Sequence, residues 1–271
     1  MTVPEGRYVD VGAGRLVHVH EAGRGSAVLF LHGGGPGASG MAAFRANYPA
    51  FAGRGFRAIV PDLPGFGRSS MPDDVDYTLD LMLGALAGVL AELSVGRCAV
   101  VGSSYGGALA IVLALRRPEL VTRLVLAAPA GLTDRRTQLL TPAVRAMAMA
   151  ALGAGPVTAG GLRAALAHQV FDQGLLTDEL IGERLAVALR QPRRVLRSLE
   201  VPELAPRLGE LACPVFGVWG VEDRFAPVSG ALTLAGCHRA RVLLVGGCGH
   251  WPPVEHAGLF NRLAIDFLDE S

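Results

Sequence analysis

The sequence contains no lysine, since all 25 of its basic residues are arginine. Without lysine the chain can form neither a lysine Schiff base nor the lysine–phosphate contact of a P-loop, so these two kinds of chemistry are excluded. Charged residues make up only 18% of the chain, and the formal net charge is +1. So small a net charge produces no strong field, and neither nucleic acid nor a membrane surface is expected as a partner.

Cysteine is scarce, and its spacing fits no metal site. The four cysteines never approach a Cys-x-x-Cys pattern, so we expect no disulfide and no bound metal; they are Cys98, Cys213, Cys237 and Cys248. Long apolar runs are also missing, because Arg145 interrupts the short stretch 143–154. The first ten residues lack the basic and apolar regions of a signal peptide. These features predict a cytoplasmic protein.

Hydrophobic residues are abundant, at 51% of 271 residues, which is enough for a large α/β core. Buried-strand and helix patterns alternate in residues 1–131 and again in 206–271, whereas 132–205 shows helical spacing alone. This order predicts the α/β class: a mostly parallel, doubly wound sheet with an inserted helical cap. Near the N-terminus, period-two alternation predicts an edge hairpin in which His18 and His20 are surface or edge residues.

Ser104 stands at the centre of a Gly-x-Ser-x-Gly sequence, between an apolar run and a segment of helical spacing. A strand, a sharp turn and a helix with small residues at the turn form a nucleophile elbow, in which a strained backbone raises the serine above the sheet. Ser103 does not fit this frame, because Val101 and Tyr105 occupy its glycine positions. The pattern predicts Ser104 as the nucleophile.

A glycine-rich stretch, His32-Gly33-Gly34-Gly35-Pro36-Gly37, follows an earlier predicted strand. Consecutive glycines let backbone N–H groups face a site without obstruction, which suits an oxyanion hole. A plain flexible loop is the alternative, and a phosphate-binding loop is disfavoured by the spacing. Asp62, in a later turn rich in proline and glycine, is interpreted as a structural turn residue.

Acidic residues and a histidine follow two later predicted strands. Glu222 and Asp223 come after one strand, and His250 comes after the next. In open α/β sheets functional side chains lie beyond the carboxyl ends of the strands. A serine hydroxyl needs an imidazole to take its proton and a carboxylate to orient that imidazole. We therefore predict a triad of Ser104, His250 and one of the two acids, in the chain order of α/β-hydrolases.

Nearly the whole chain resembles an α/β-hydrolase, and more narrowly it resembles the meta-cleavage-product hydrolases. These enzymes break a carbon–carbon bond in ring-opened aromatic compounds. Three stretches carry the resemblance: the glycine-rich loop 32–38, the segment 171–192 and the C-terminal segment 248–268.

The resemblance implies a role for individual residues. Asp223 becomes the preferred triad acid, ahead of Glu222. The oxyanion hole would consist of Gly34 and the N–H of Tyr105, and the substrate-binding residues would be Gly35, Ser103, Arg184 and Trp251. Arg184 would bind the substrate carboxylate and Trp251 would line that pocket. The resemblance further implies a homodimer or a larger homo-oligomer, and no cofactor or metal.

Arg184 can also be judged from its helix alone. Leu180, Ile181, Leu185 and Ala188 share its face, so Arg184 lies within the apolar stripe. A guanidinium on a buried face needs an anion or several acceptors. The alternatives are a structural ion pair with a core carboxylate and an arginine side chain that reaches past the edge of the stripe.

The resulting hypothesis is a serine hydrolase that cleaves small 2-hydroxy-6-oxo-hexa-2,4-dienoates. The alternatives are a carboxylesterase, thioesterase or lactonase on the same triad, and a non-catalytic ligand-binding homologue. The resembled family usually has Asn where this chain has Ser103, and often a second Asn near Ala43. The group beyond the distal ketone of the substrate stays open.

Overall fold

The fold is known from a computed structural model that describes residues 5–134, 141–153 and 155–270. The predictions for the N-terminal stretch and for the insertion at 132–205 extend partly outside these ranges. Within them, eight strands form one sheet in the order β1-β2-β4-β3-β5-β6-β7-β8. The strands are β1 (Arg7–Asp10), β2 (Leu16–Ala22), β3 (Ala27–Leu31), β4 (Arg57–Pro61), β5 (Cys98–Ser103), β6 (Val121–Ala127), β7 (Val215–Gly220) and β8 (Ala240–Val245).

The sheet is parallel from β4 to β8, and β1 and β2 are antiparallel additions at one side. The mostly parallel, doubly wound architecture is therefore confirmed. Strand β5 lies in the middle of the sheet and all of its residues are buried. Such a strand needs a continuous apolar run, as the sequence has here, because both of its faces are covered.

Helices connect the strands and cover both faces. They are α1 (Gly40–Phe44), α2 (Tyr48–Gly53), α3 (Leu79–Glu92), α4 (Tyr105–Arg116), α5 (Pro142–Leu152), α6 (Ala159–Ala167), α7 (Asp178–Ala188), α8 (Arg193–Ser198), α9 (Ser229–Ala235), α10 (Pro252–Glu255) and α11 (Ala257–Asp269). Threonine side chains cap α3, α5, α6 and α7, each accepting a hydrogen bond from an N–H in the first turn. None of the helices in the described ranges is long and apolar enough to cross a membrane.

The core consists of two large apolar clusters, one on each face of the sheet. Successive residues of β3 alternate between them: Leu29 and Leu31 belong to one cluster, Val28 and Phe30 to the other. This alternation follows from the period of two in a strand. A third, smaller cluster belongs to the helices between β6 and β7 and includes Leu162, Leu166 and Ile181.

The expectation that His18 and His20 are surface or edge residues is wrong, since only 1% and 6% of them are exposed. Strand β2 is not an edge strand, because β1 pairs with one side of it and β4 with the other. His18 Nδ1 also lies 3.1 Å from Asp62 Oδ2, which gives the buried imidazole a partner.

Candidate active site

Ser104 lies in the turn between β5 and α4, with φ 53° and ψ −118°. A non-glycine residue in this region is strained, and the surrounding structure must hold it there. Glycine is required beside it, since a Cβ on Gly106 would come within 2.0 Å of Leu31 O. The short strand-to-helix distance thus fixes a turn that only small residues can occupy, and Ser104 lines the cavity above it.

Asp223 and His250 form a buried pair, with Nδ1 of the imidazole 2.7 Å from Oδ2 of the carboxylate. The other carboxylate oxygen accepts hydrogen bonds from the N–H groups of Phe225 and Ala226, at 2.8 Å each. Because an ionised carboxylate only accepts, Nδ1 carries the proton and Nε2 is left as an acceptor. Glu222, the alternative acid, is engaged elsewhere and accepts from the N–H of Cys248.

The nucleophile and the base line the same cavity but do not share a hydrogen bond. Nε2 of His250 is buried and has no partner in the structure's described part. Ser104, Asp223 and His250 thus reach one site, while the serine-to-imidazole contact is open. Catalytic hydrogen bonds are often long in free enzymes and tighten when the substrate binds.

Gly34 and Tyr105, the residues expected for the oxyanion hole, are close neighbours. A Cβ placed on Gly34 would lie 3.2 Å from Cβ of Tyr105. Tyr105 is the first residue of α4, where backbone N–H groups have no acceptor within the helix. Both residues line the cavity beside Ser104, so their N–H groups can serve a developing oxyanion.

Arg184 is 7% exposed and lines the same cavity from helix α7. Its guanidinium carbon lies 4.8 Å from the ring centroid of Trp251, which is a cation–π contact. Nε has no hydrogen-bond partner and no carboxylate pairs with the guanidinium, among the residues described. Burial lowers the pKa of Arg184 to about 10. A cation held in this way favours the binding of an anion.

The sequence does not predict the roles of Gln169 and Glu255, which support the site. Gln169 is 6% exposed, and its Oε1 accepts a hydrogen bond from Trp251 Nε1 at 2.9 Å. Glu255 accepts from the N–H groups of Gly249 and Trp251 with one oxygen and from Phe171 N with the other. Both residues tie the segment before α7 to the loop that carries His250. The only sequence signal for Gln169 is a polar residue in an apolar stretch.

The cavity has a volume of about 910 Å³. Ser103 and Gly35 lie in its wall, as do apolar side chains such as Met147 and Phe225. The structure therefore brings every predicted site residue except Asp223 to the wall of one cavity. Asp223 lies behind His250, as expected for a carboxylate that orients the imidazole.

Comparisons with known proteins agree with this geometry. Residues 28–263 match the model of the alpha/beta hydrolase family. The chain is similar to a 2-hydroxy-6-oxo-6-phenylhexa-2,4-dienoate hydrolase of Burkholderia cepacia, with 36% identity over 93% of this chain and 91% of that protein. It is also similar to a 2-hydroxy-6-oxononadienedioate/2-hydroxy-6-oxononatrienedioate hydrolase of Burkholderia vietnamiensis, with 37% identity over 97% of this chain and 95% of that protein.

A solved structure gives the same picture. The meta-cleavage product hydrolase from Pseudomonas fluorescens IP01 is 30% identical to this chain, covers 97% of each chain and superposes with a TM-score of 0.86.

Proposed function

This chain belongs to the alpha/beta hydrolase family, and we propose that it is a serine-dependent enzyme that hydrolyses a carbon–carbon bond in meta-cleavage products of aromatic degradation. Its substrates are small 2-hydroxy-6-oxo-hexa-2,4-dienoates. The names of the relatives support this substrate class. The substrates in those names differ in the group beyond the distal ketone, which is a phenyl ring in one and carries a second carboxylate in the other.

The observation that carries the proposal is the buried Arg184 in the wall of the cavity that Ser104 lines, where no carboxylate of the described residues pairs with its guanidinium. An unpaired buried cation costs several kcal/mol unless an anion binds it. A simple neutral ester supplies no such anion, whereas a dienoate does. The stacking of Arg184 on Trp251, next in the chain to His250, would bring the substrate carboxylate close to the base.

In the proposed reaction Arg184 binds the carboxylate, and Ser103 and Gly35 contact the substrate. His250 moves a proton from the 2-hydroxyl group to the carbon chain, so that the dienol becomes a ketone. Ser104, or a water activated by His250, then attacks the distal carbonyl while the N–H groups of Gly34 and Tyr105 stabilise the oxyanion. One such donor contributes roughly 3–4 kcal/mol in other serine enzymes.

Cleavage of the carbon–carbon bond sends its electron pair along the conjugated chain to the C2 oxygen, which takes a proton from His250, and the 2-hydroxydienoate leaves. Where Ser104 is the nucleophile, water then attacks the acyl-serine, its hydroxyl completes the carboxylic acid and its other proton returns to Ser104. Where water attacks directly, the carboxylic acid forms in the same step. Asp223 holds the imidazole in the tautomer that these transfers need.

We also propose a division of the chain into a hydrolase core, 1–131 with 206–271, and a helical cap, 132–205. The separate apolar cluster of helices α5 to α7 supports this division. A cytoplasmic location and a homodimer or larger homo-oligomer are part of the same proposal. Light scattering of the purified protein and fractionation of cells test these last two points.

The test is spectrophotometric turnover of yellow dienoates with hydrogen, methyl or phenyl at the distal ketone, compared with p-nitrophenyl acetate. The wild-type protein is expected to bleach at least one dienoate. Arg184→Ala should lower kcat/KM for that dienoate about a hundredfold or more, because it removes the partner of a buried charge. Ester hydrolysis should change less than about threefold.

Arg145→Ala is the matched control, since Arg145 is exposed and lies outside the cavity wall. It should leave both activities unchanged. Hydrolysis of the acetate ester without turnover of any dienoate would contradict the proposal and favour an ordinary esterase. An equal loss of kcat/KM on both substrates in Arg184→Ala would show that Arg184 does not bind the carboxylate.

A further inference from the structure

We propose that Gln169 is a substrate-binding residue whose side-chain amide donates a hydrogen bond to an oxygen of the substrate's head group, the carboxylate with its neighbouring C2 oxygen. This inference rests on the proposed function. It adds a second donor, beside Arg184, to the subsite that recognises the 2-hydroxydienoate end.

Trp251 fixes the orientation of the Gln169 amide. Trp251 Nε1–H can only donate, so the Gln169 atom 2.9 Å from it is the oxygen Oε1. The Nε2 group of Gln169 therefore occupies the other side of the amide, with its two hydrogens directed away from the indole nitrogen. Since neighbouring groups fix this orientation, an incoming ligand does not have to rotate the side chain.

The two amide hydrogens of Gln169 have no acceptor among the described residues. Nε2 of Gln169 has no hydrogen-bond partner within the described ranges, and it is not among the enclosed polar atoms without a partner. Gln169 is nevertheless 6% exposed and lines the cavity. The small accessible surface of its amide hydrogens therefore faces the space that a substrate would fill.

Most of the neighbouring side-chain N–H groups are already used in hydrogen bonds. Among the described residues of the cavity wall, His32 uses both ring nitrogens on backbone groups and His250 uses Nδ1 on Asp223. Trp251 uses its N–H on Gln169 itself. The side-chain N–H donors left for a ligand are those of Arg184 and Gln169, and both side chains contact the indole of Trp251.

The backbone of Gln169 is bonded directly to the backbone of His250. Its carbonyl oxygen accepts a hydrogen bond from the N–H of His250. A Cβ on Gly249 would meet this carbonyl at 2.4 Å, so the two segments are in close contact. Side-chain substitutions at 169 leave this backbone contact in place, which makes the amide testable separately from the position of the base.

The experiment measures binding of the intact yellow dienoate to protein carrying Ser104→Ala, by titration of the visible absorption band. Adding Gln169→Leu should weaken binding about tenfold to a hundredfold, the usual effect of losing a hydrogen bond to a charged group. Adding Trp251→Phe instead keeps an aromatic ring for Arg184 but removes the indole N–H and the second ring. It should weaken binding less than Gln169→Leu does, because the amide hydrogens of Gln169 remain.

The comparison separates donation to the substrate from support of Trp251. Equal losses in the Leu and Phe variants would mean that Gln169 only holds the indole, and the inference would be overturned. Unchanged binding in the Leu variant would overturn it as well. Circular dichroism checks that each variant is folded before the titration.

Turnover by the wild-type protein is measured first. If it bleaches no dienoate, the proposed function fails, and this inference fails with it. If it does bleach a dienoate and the Leu variant binds normally, the inference alone fails.

Discussion

His32 is bonded to the main chain at both ring nitrogens. Nε2 accepts from the N–H of Leu63 at 2.9 Å, so Nδ1 carries the proton and donates to Gly33 O at 2.8 Å. The C=O and N–H of a trans peptide point in opposite directions. Holding Gly33 O against the imidazole therefore turns the N–H of Gly34 away from it, as a donor to the oxyanion must be.

We expect His32→Ala to lower kcat about tenfold to a thousandfold, because the N–H of Gly34, the proposed oxyanion donor, would lose its alignment. KM should change little. The loss should be the same for dienoate and acetate ester, unlike the loss in Arg184→Ala, because both reactions pass through an oxyanion. Steady-state kinetics on the two substrates check this, and an unaltered kcat would show that Gly34 does not depend on the imidazole.

At the scale of elements, the glycine-rich loop and helix α7 are in backbone contact. Gly37 has φ +67°, and a Cβ there would lie 2.0 Å from Arg184 O. The position of Arg184 therefore depends on Gly37, which lies in the glycine-rich loop and can approach α7 only because it has no side chain. Gln191 adds to this contact, since its Oε1 accepts from Gly37 N and its Nε2 donates to Gly65 O.

Gly37→Ala should raise KM for the dienoate at least tenfold, because α7 must move away from the added methyl group. It should also lower the free energy of unfolding by roughly 1–3 kcal/mol through backbone strain. Gly84→Ala is the matched control: Gly84 lies within α3 with nothing within 4 Å of an added Cβ. This control should be stabilised by about 1 kcal/mol. Chemical denaturation and steady-state kinetics measure both effects. Unchanged stability and unchanged KM in Gly37→Ala would show that the position of α7 does not depend on Gly37.

Most elements follow from local patterns in the sequence, and their ends depend on contacts that are not local. The spacing near the C-terminus predicts a helix over 255–268, and the structure has α11 (Ala257–Asp269) there, preceded by the separate short helix α10 (Pro252–Glu255). The two helices are divided because the backbone at His256 departs from helical geometry at φ −128° and ψ 46°. His256 Nε2 lies 2.9 Å from Gly247 O, a contact with the preceding loop that sequence spacing does not indicate.

For the molecule as a whole, Asp62 links the sheet to the loops on its carboxyl side. Its carboxylate accepts from the N–H groups of Gly40 and Arg68 and pairs with His18. Burial alone would raise the pKa of Asp62, but the hydrogen bond to His18, the nearby His32 and the two N–H groups hold it below its ordinary value of 3.8. The stabilisation by the ionised form is thus present above pH 3.8 and is lost as the pH falls through the lowered folded-state pKa.

Asp62→Asn should therefore reduce the free energy of unfolding at pH 7 by about 3 kcal/mol, since an amide cannot accept all of these hydrogen bonds. The difference between variant and wild type should shrink below pH 3.8, where the carboxyl of the unfolded chain is protonated. Urea unfolding at a series of pH values measures it. A difference independent of pH would show that the charge on Asp62 does not contribute.

The parallel sheet, the turn at Ser104 and the meeting of Ser104, Asp223 and His250 at one site could be predicted, because each depends on a few neighbouring residues and on the strand ends. The family match confirms the resemblance that the motifs indicated. The burial of His18 could not be predicted, since it follows from the pairing of β2 with β4 far along the chain. Gln169 was missed for a similar reason: its partner Trp251 is 82 positions away.

One consequence concerns His250 and Trp251, which are joined by a single peptide bond. The proposed base and the ring that lies against the guanidinium therefore stay adjacent in any relative that keeps both residues. A substitution that moves Trp251, beside the proposed site of the substrate carboxylate, would also move the imidazole of His250. Met147 lines the same cavity from α5, which is far along the chain from both residues. We therefore expect related proteins to differ in the group that they accept at the distal ketone of the substrate, and to keep the residues that contact its carboxylate end.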